Sequence, residues 1–560
     1  MLTISIISAI QLQAQTAASP GAEANTSMPA SSLSSTYVPI ESWVYEAIEH
    51  LAASGYVETA FAGLRPWTRM DCARLIEEAE EQEPNLEATV QSEALVTSLK
   101  KEFAAELRRR NGERNRELRI ESADLRSTIL SGTPVTDGFH AAQSLINDYG
   151  RPYGQGENLY AGLTLRAASG HFAAYVHAEA QRAAIAPPRP SSAATAIALA
   201  DLTPTAAAQS SSGLSRGRVL EAYVSYTFQD NQFTFGKQSL WWGPGKGGPL
   251  LFSNNAEPVT MLRYDRTRPF EIPGPGRWLG PIRLQAFAGR LAGHQFIHAV
   301  SQTYGQPGRS LSDQPFIHGQ KVSFKPTPNL EFSVSRTVIF AGAGAPLTTR
   351  SFLRSFFSGG NSDGSTDPGD RRAAVDVQYR VPGIRNWLTA YVDTFTDDEP
   401  FPLRYPTESA WSPGLFLAHV PRIPRLDLRA EGYLTPHRDL FPGFYYFNVR
   451  YLSGYTNQRQ LLGSWIGRES DGFQVWSHWW FSPRSFAEVS VRRVTQNSEF
   501  LHGGSLRDVR LAADVALRSD WQVRVEMQDE RWRYPLLAPV PAHDFSTTIQ
   551  VSYRPTGGKL

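Results

Sequence analysis

From residue 118 onward, apolar and polar residues alternate with a period of two, broken only by turns, and this alternation limits the fold more than any other feature. Successive side chains of an extended strand point to opposite faces, so a period of two means strands with one apolar and one polar face. In Leu220–Phe228, the residues Leu220, Ala222, Val224, Tyr226 and Phe228 fall on one face, with Glu221, Tyr223, Ser225 and Thr227 on the other. Gln229 to Gln232 reads as a turn, after which Phe233 and Phe235 begin the next strand. The same pattern returns in Leu426–Leu434, in Val509–Arg518, in Trp521–Gln528 and in the final run Phe545, Thr547, Ile549, Val551, Tyr553.

A globular β-sandwich also alternates, so the pattern alone leaves the class open. Three further features narrow it. Roughly 18 segments of about ten residues can be counted, the length of a tilted membrane-crossing strand. Many carry aromatic residues near their ends, as at Trp476, Trp479, Trp480 and Phe481, which suits aromatic girdles at two membrane interfaces. Connections are uneven: tight at Gln229–Gln232 and Ser519–Asp520, long and rich in Gly, Pro and Ala at 187–214, 342–370 and 397–424. Short turns on one rim and long loops on the other are characteristic of outer-membrane barrels. No blade-length repeat and no short rung period is visible, which argues against a propeller and a β-helix. The mean hydropathy of −0.33 fits, because lumen-facing and lipid-facing residues average out. Beyond Leu12 no stretch approaches the roughly 20 apolar residues of a membrane helix. The expected fold is an all-β transmembrane barrel of about 18 antiparallel strands over residues 117–560, with Tyr553 as its terminal aromatic residue.

The N-terminal part differs. Apolar residues from Met1 to Ile10, then small residues from Ala14 to Ala18, predict a signal peptide over 1–18. Residues 19–36 are Ser/Ala/Thr/Pro-rich and read as a linker. Over 37–116 the period is helical. Val44, Ala47, Ile48 and Leu51 share a face, Gly55 marks a stop, and Thr68 with Asp71 forms an acidic variant of the capping box. Leu95, Leu99, Phe103 and Leu107 line one longer helix. The unit reads as a compact helix-loop-helix module resembling S-layer-homology repeats, which suits the cell envelope.

Net charge is +1, which predicts no nucleic-acid partner through bulk electrostatics. The single cysteine, Cys72, excludes an intrachain disulfide, and the 12 histidines show no metal-ligand spacing, so no metal or cofactor is expected. Asp397-Asp398 and Asp529-Glu530 are paired carboxylates, but no nucleophile elbow or other catalytic motif accompanies them, and no enzyme is expected.

The most distinctive stretch runs from Phe235 to Pro258 and on to Tyr264, with Leu240-Trp241-Trp242-Gly243-Pro244-Gly245-Lys246 at its centre. A phosphate loop would need Ser or Thr after the lysine and then a helix; here Gly247 follows, and no helix does. This stretch resembles the signature of the Wzi family of capsule-assembly outer-membrane proteins. So do Ile146–Gly154 (Ile-Asn-Asp-Tyr-Gly-Arg-Pro-Tyr-Gly) and the N-terminal pattern Trp43, Ala47-Ile48, Leu51, Gly55, Arg65-Pro66, Thr68-Arg69. The resemblance covers nearly the whole chain. It implies an 18-stranded barrel with a periplasmic helical segment, acting as a surface lectin for capsular polysaccharide. The expected partners are then surface polysaccharide and outer-membrane lipid, with no oligomeric state implied; a diffusion channel for small solutes is the alternative.

Sugar binding needs flat aromatic faces and planar polar groups, and Trp241, Trp242, Lys246, Asn254, Asn255 and Arg263 supply these types. Each has a plainer reading. The tryptophans suit an interface girdle, Lys246 an exposed loop charge, Asn254 and Asn255 a turn, and Arg263 and Arg266 ion pairs in the lumen.

Overall fold

Eighteen strands close into one antiparallel barrel in a computed structural model that describes residues 28–83, 90–185, 188–205, 213–357, 369–397, 402–404, 406–439 and 441–555. The expected signal peptide lies outside these residues. The first barrel strand, Arg116–Leu130, pairs with Gly156–Ser169 on one side and with the last strand, Ala542–Tyr553, on the other. That second pairing closes the barrel and leaves it no edge strand. Tyr553 ends the last strand and packs on Trp521, ring centroids 5.0 Å apart.

The wall is inverted relative to a water-soluble protein. In Gly504–Ala516 the exposed positions include Val509, Leu511 and Val515, while Asp508 and Asp514 are buried. Ser485–Gln496 does the same, with Val489 and Val491 outward and Glu488, Ser490 and Arg492 inward. Apolar side chains on the outer face of a barrel whose charges are buried are accounted for by lipid as the outer solvent. Among the described residues no helix is long and apolar enough to cross a membrane; the apolar outer face of the closed barrel fits its strands to that role.

The two rims differ as expected. One carries tight turns such as Gln229-Asp230, both at positive φ (48° and 60°), the conformation a two-residue hairpin loop needs. The other carries the long connections. Several of these fold into the lumen, so that Trp242, Leu250, Phe252, Tyr446, Tyr455 and Trp465 form one apolar cluster against inward wall residues such as Phe287 and Phe395.

The opposite end of the lumen holds the helices. They are α1 (Trp43–Ala53), α2 (Arg69–Gln82), α3 (Val90–Glu102) and α4 (Ala104–Arg110). The Ser42 hydroxyl accepts from Val44 N at 3.4 Å to start α1, and Thr68 Oγ1 accepts from Asp71 N at 3.1 Å to start α2. Gly55 lies just past α1 at φ 88°, the left-handed turn that ends it. Val44, Ile48, Leu51, Trp67, Leu75, Leu99 and Phe103 make a core separate from that of the loops. The module is tied to the wall by polar contacts. Asp71 accepts from Arg283 (2.7 Å), His50 lies 3.2 Å from Asp427, and Glu331 accepts from Ala62 N and Gly63 N at 3.0 and 2.9 Å.

Five expectations change in detail. Leu220 is buried rather than outward, because a bulge opposite His177 and Ala178 inserts it as an extra residue and shifts the phase of the strand. Trp476 and Trp480 point into the lumen; only Trp479 and Phe481 face out, since adjacent residues of a strand point to opposite faces. The helix expected through Leu107 divides at Phe103, whose ring packs under the Arg69 guanidinium, 4.6 Å away. The loop expected over 397–424 contains the strand Ala410–Leu417, with Pro413 paired opposite Val392 in the wall. Residues 30–36, within the stretch read as a linker, lie against the barrel, with Ser34 N donating to Gly170 O at 3.0 Å and Asp230 N to Ser31 O at 2.6 Å.

Candidate functional site

The three sequence signatures meet inside the barrel. Trp241 and Trp242 form a two-residue antiparallel pairing with Arg65 and Leu64 of the helical module. The Ile146–Gly154 segment clips to the same loop: Asn147 Nδ2 donates to Gly247 O (2.7 Å), and Tyr149 N to Asn254 O (2.8 Å). Within that segment Asp148 pairs with Arg126 of the wall (2.8 Å) and Arg151 with Glu179 (2.8 Å). Residues far apart in sequence are therefore cross-linked where the helical plug meets the loop plug.

Lys246 spans this junction. Its Nζ lies 2.6 Å from Glu46 Oε1 on α1 and 2.8 Å from His478 Nε2 on the wall. Its backbone N–H and that of Gly247 donate to the two oxygens of Glu431, at 2.7 and 2.9 Å. A Cβ on Gly247 would overlap the Tyr433 hydroxyl and come within 2.9 Å of the Trp476 ring, which explains the glycine after the lysine. Behind Lys246 runs a buried relay, His50–Asp427–His478–Glu488, with Arg510 2.6 Å from Glu488. Burial pushes the Glu46 carboxyl up, but the Lys246 ammonium, aided by His478, outweighs it and holds the group at about 2.

Beside this junction a cavity of about 370 Å³ runs between the two plugs and the barrel wall, reaching Pro483, Arg484 and Arg554 at the short-turn rim. Its walls carry Trp241, Trp476, Trp480 and Tyr153, arginines 126, 429, 492, 510 and 524, and carboxylates including Asp508, Asp514 and Glu526. Aromatic faces beside guanidinium forks can accommodate sugar rings and acidic substituents.

The six candidate residues separate on this geometry. Trp241, Lys246 and Asn254 line the cavity. Trp242 is buried among Phe252 and Phe287 and donates Nε1–H to Gln285 Oε1 at 2.5 Å. Asn255 is buried with Nδ2 donating to Leu461 O at 3.3 Å. Arg263 is fully buried, stacked 4.1 Å over Tyr37 and 2.9 Å from Asp265. The tryptophans are thus loop anchors in the lumen, not an interface girdle, and Lys246 is half-buried in ion pairs rather than a free loop charge. Arg266, unlike Arg263, sits at the turn rim, donating to Gln229 O at 2.5 Å. Sequence reasoning missed Trp476, Trp480 and Arg429 as lumen residues, although their phase against Trp479 and Leu428 carried the signal.

Asp529 and Glu530 stand on opposite faces of one strand. Asp397 is paired with Arg372 at 3.0 Å, and Asp398 lies outside the described residues.

Over 182 residues the chain is 26% identical to a 55.8 kDa protein of the cps region of Klebsiella pneumoniae, a match covering 32% of each chain. The chain therefore aligns with about a third of that relative. Its fold is similar to that of Wzi from Escherichia coli, described as an outer-membrane, carbohydrate-binding β-barrel involved in group 1 capsule assembly. That likeness has a TM-score of 0.66 at 14% identity and covers 93% of this chain and 99% of that one. The family described as capsule assembly protein Wzi matches residues 125–547, three-quarters of the sequence, and the chain belongs to that family of outer-membrane barrels.

Proposed function

We propose that this protein is a non-catalytic outer-membrane lectin that binds capsular or exopolysaccharide and helps attach or organise it at the cell surface. The observation that carries this reading is a barrel filled from both ends, in a family named for capsule assembly. A pore needs a continuous aqueous path, whereas this lumen is packed by two cores joined through Trp241–Lys246. The polysaccharide is bound at the long-loop end. Trp242, Asn255 and Arg263 serve it indirectly by fixing the inward loops, while Trp241, Lys246 and Asn254 meet sugar only where a chain end enters the cavity. The short-turn rim and the helical module face the periplasm, following the usual asymmetry of such barrels.

Titration of the refolded full chain with acidic and neutral surface polysaccharides tests this reading. Saturable binding without release of shortened glycan is expected. Absence of binding to every glycan, together with steady single-channel conductance, would favour the diffusion-channel reading instead.

A further inference from the structure

Among the described residues one helix packs on the outer face of the barrel wall. The helix α6, Thr349–Phe357, belongs to the long connection after the wall strand Leu330–Phe340 and follows α5 (Ser191–Ala200) in chain order. Thr348 starts it: Thr348 N donates to Ser351 Oγ at 2.9 Å and Ser351 N to Thr348 Oγ1 at 3.0 Å, a reciprocal cap. The lumen-facing residues of the wall beneath are Lys321, Ser323, Ser333 and Ser335, so the alternate positions His318, Arg336, Val338 and Phe340 face outward. The helix covers these outward residues. Phe352 packs on Phe340 (5.9 Å) and His318 (5.9 Å), Ser355 Oγ lies 3.1 Å from His318 Nε2, and Arg336 donates to the carbonyls of Ser355 and Phe356 (2.5 and 3.0 Å). Those carbonyls belong to the last turn, where a helix lacks internal donors and favours a cation. Two polar wall residues that lipid would penalise are thereby roofed.

What α6 turns away from the wall is itself amphipathic. Leu353 (46% exposed) and Phe357 (75% exposed) are four residues apart, as are Arg350 and Arg354, so an apolar stripe and a basic stripe run side by side. Along the same two strands the outward positions Val322, Phe324, Phe332 and Val334 are apolar and partly exposed, so the stripe adjoins an apolar outer wall, and the helix sits at its long-loop end.

We propose that α6 is an interfacial helix that docks an anionic, phosphorylated glycolipid of the outer leaflet. Leu353 and Phe357 enter the acyl chains, and Arg350 and Arg354 meet the headgroup phosphates. Charge complementarity and continuity with the lipid-facing wall select this occupant over a soluble polysaccharide, which would gain nothing from the apolar stripe.

The full chain carrying L353C, labelled with an environment-sensitive fluorophore, tests the placement; Cys72 is buried and stays unlabelled. F357C serves as a second position should L353C fail to refold. In vesicles containing diphosphoryl lipid A, quenching by acyl-chain nitroxides and protection from iodide are expected. Native mass spectrometry should show retention of diphosphoryl lipid A over its phosphate-free form, reduced about fivefold or more by R350E, as loss of one cation near an anionic surface implies. Iodide quenching without nitroxide quenching would overturn the proposal. So would equal retention of both lipid forms, or a probe response to added polysaccharide alone.

Discussion

Lys246 Nζ and Glu46 Oε1 lie 2.6 Å apart, joining a long loop folded in from one end of the barrel to the first helix of the module that fills the other. Two hundred residues separate them in sequence. Their contact converts two independent plugs into one.

Replacing Lys246 with alanine leaves Glu46 without its cation in a mostly buried place. A loss of about 1–3 kcal/mol is expected, the usual cost of stranding a buried polar partner. Thermal unfolding in detergent, followed by gel mobility of unboiled samples, would register it; an unchanged midpoint would contradict the coupling. The double variant E46Q/K246A should lose less than the sum of the single changes.

The same pair sets an acid limit. The Glu46 carboxyl is depressed from 4.5 to about 2 in the folded protein, so its contribution is complete above about 4.5 and is lost as pH falls towards about 2. Thermal midpoints of wild type and E46Q should therefore converge across that window and stay apart at neutral pH.

His140 predicts an effect of opposite sign. It ties the 131–155 loop to the end of α5 through Asp137 (2.8 Å) and Asp201 (2.6 Å). Burial pulls the imidazolium down, but the two carboxylates outweigh it and raise it from 6.5 to about 9. A raised value gives stability that is full below 6.5 and lost as pH rises through about 9. Hydrogen exchange in α5 should accelerate across that range in wild type and be fast throughout in H140A.

Trp242→Ala should cost about 3–5 kcal/mol, since it empties a site closed by Phe252, Phe287 and the backbone of Gly319. Trp241→Ala borders the cavity and should cost less while altering glycan binding more. Paired melting and polysaccharide titration on the two variants would separate anchor from contact residue.

The lumen itself is testable. Planar-bilayer recordings of the wild type should show conductance well below that of an open barrel of this strand number. K246A should raise its open fraction; a wild-type barrel conducting steadily from the outset would remove the two-plug account.

Much of this was legible in the chain. The period-two run specified the strands, because side-chain alternation is a local property of an extended backbone, and the Thr68–Asp71 cap specified the start of α2 for the same reason. The uneven turns and the Leu240–Lys246 motif pointed to the membrane and the family. Tertiary structure alone decided where that motif sits. Trp242, Asn255 and Arg263 have the residue types of a sugar site, yet they are buried by partners more than 20 residues away, such as Phe287, Leu461 and Pro66. The phase of Leu220 was likewise set by a bulge, and the outward seat of α6 by the parity of a neighbouring strand. Local periodicity assigns a face to each side chain; which face meets lipid, water or another loop depends on barrel closure and on long-range contacts that no local window contains.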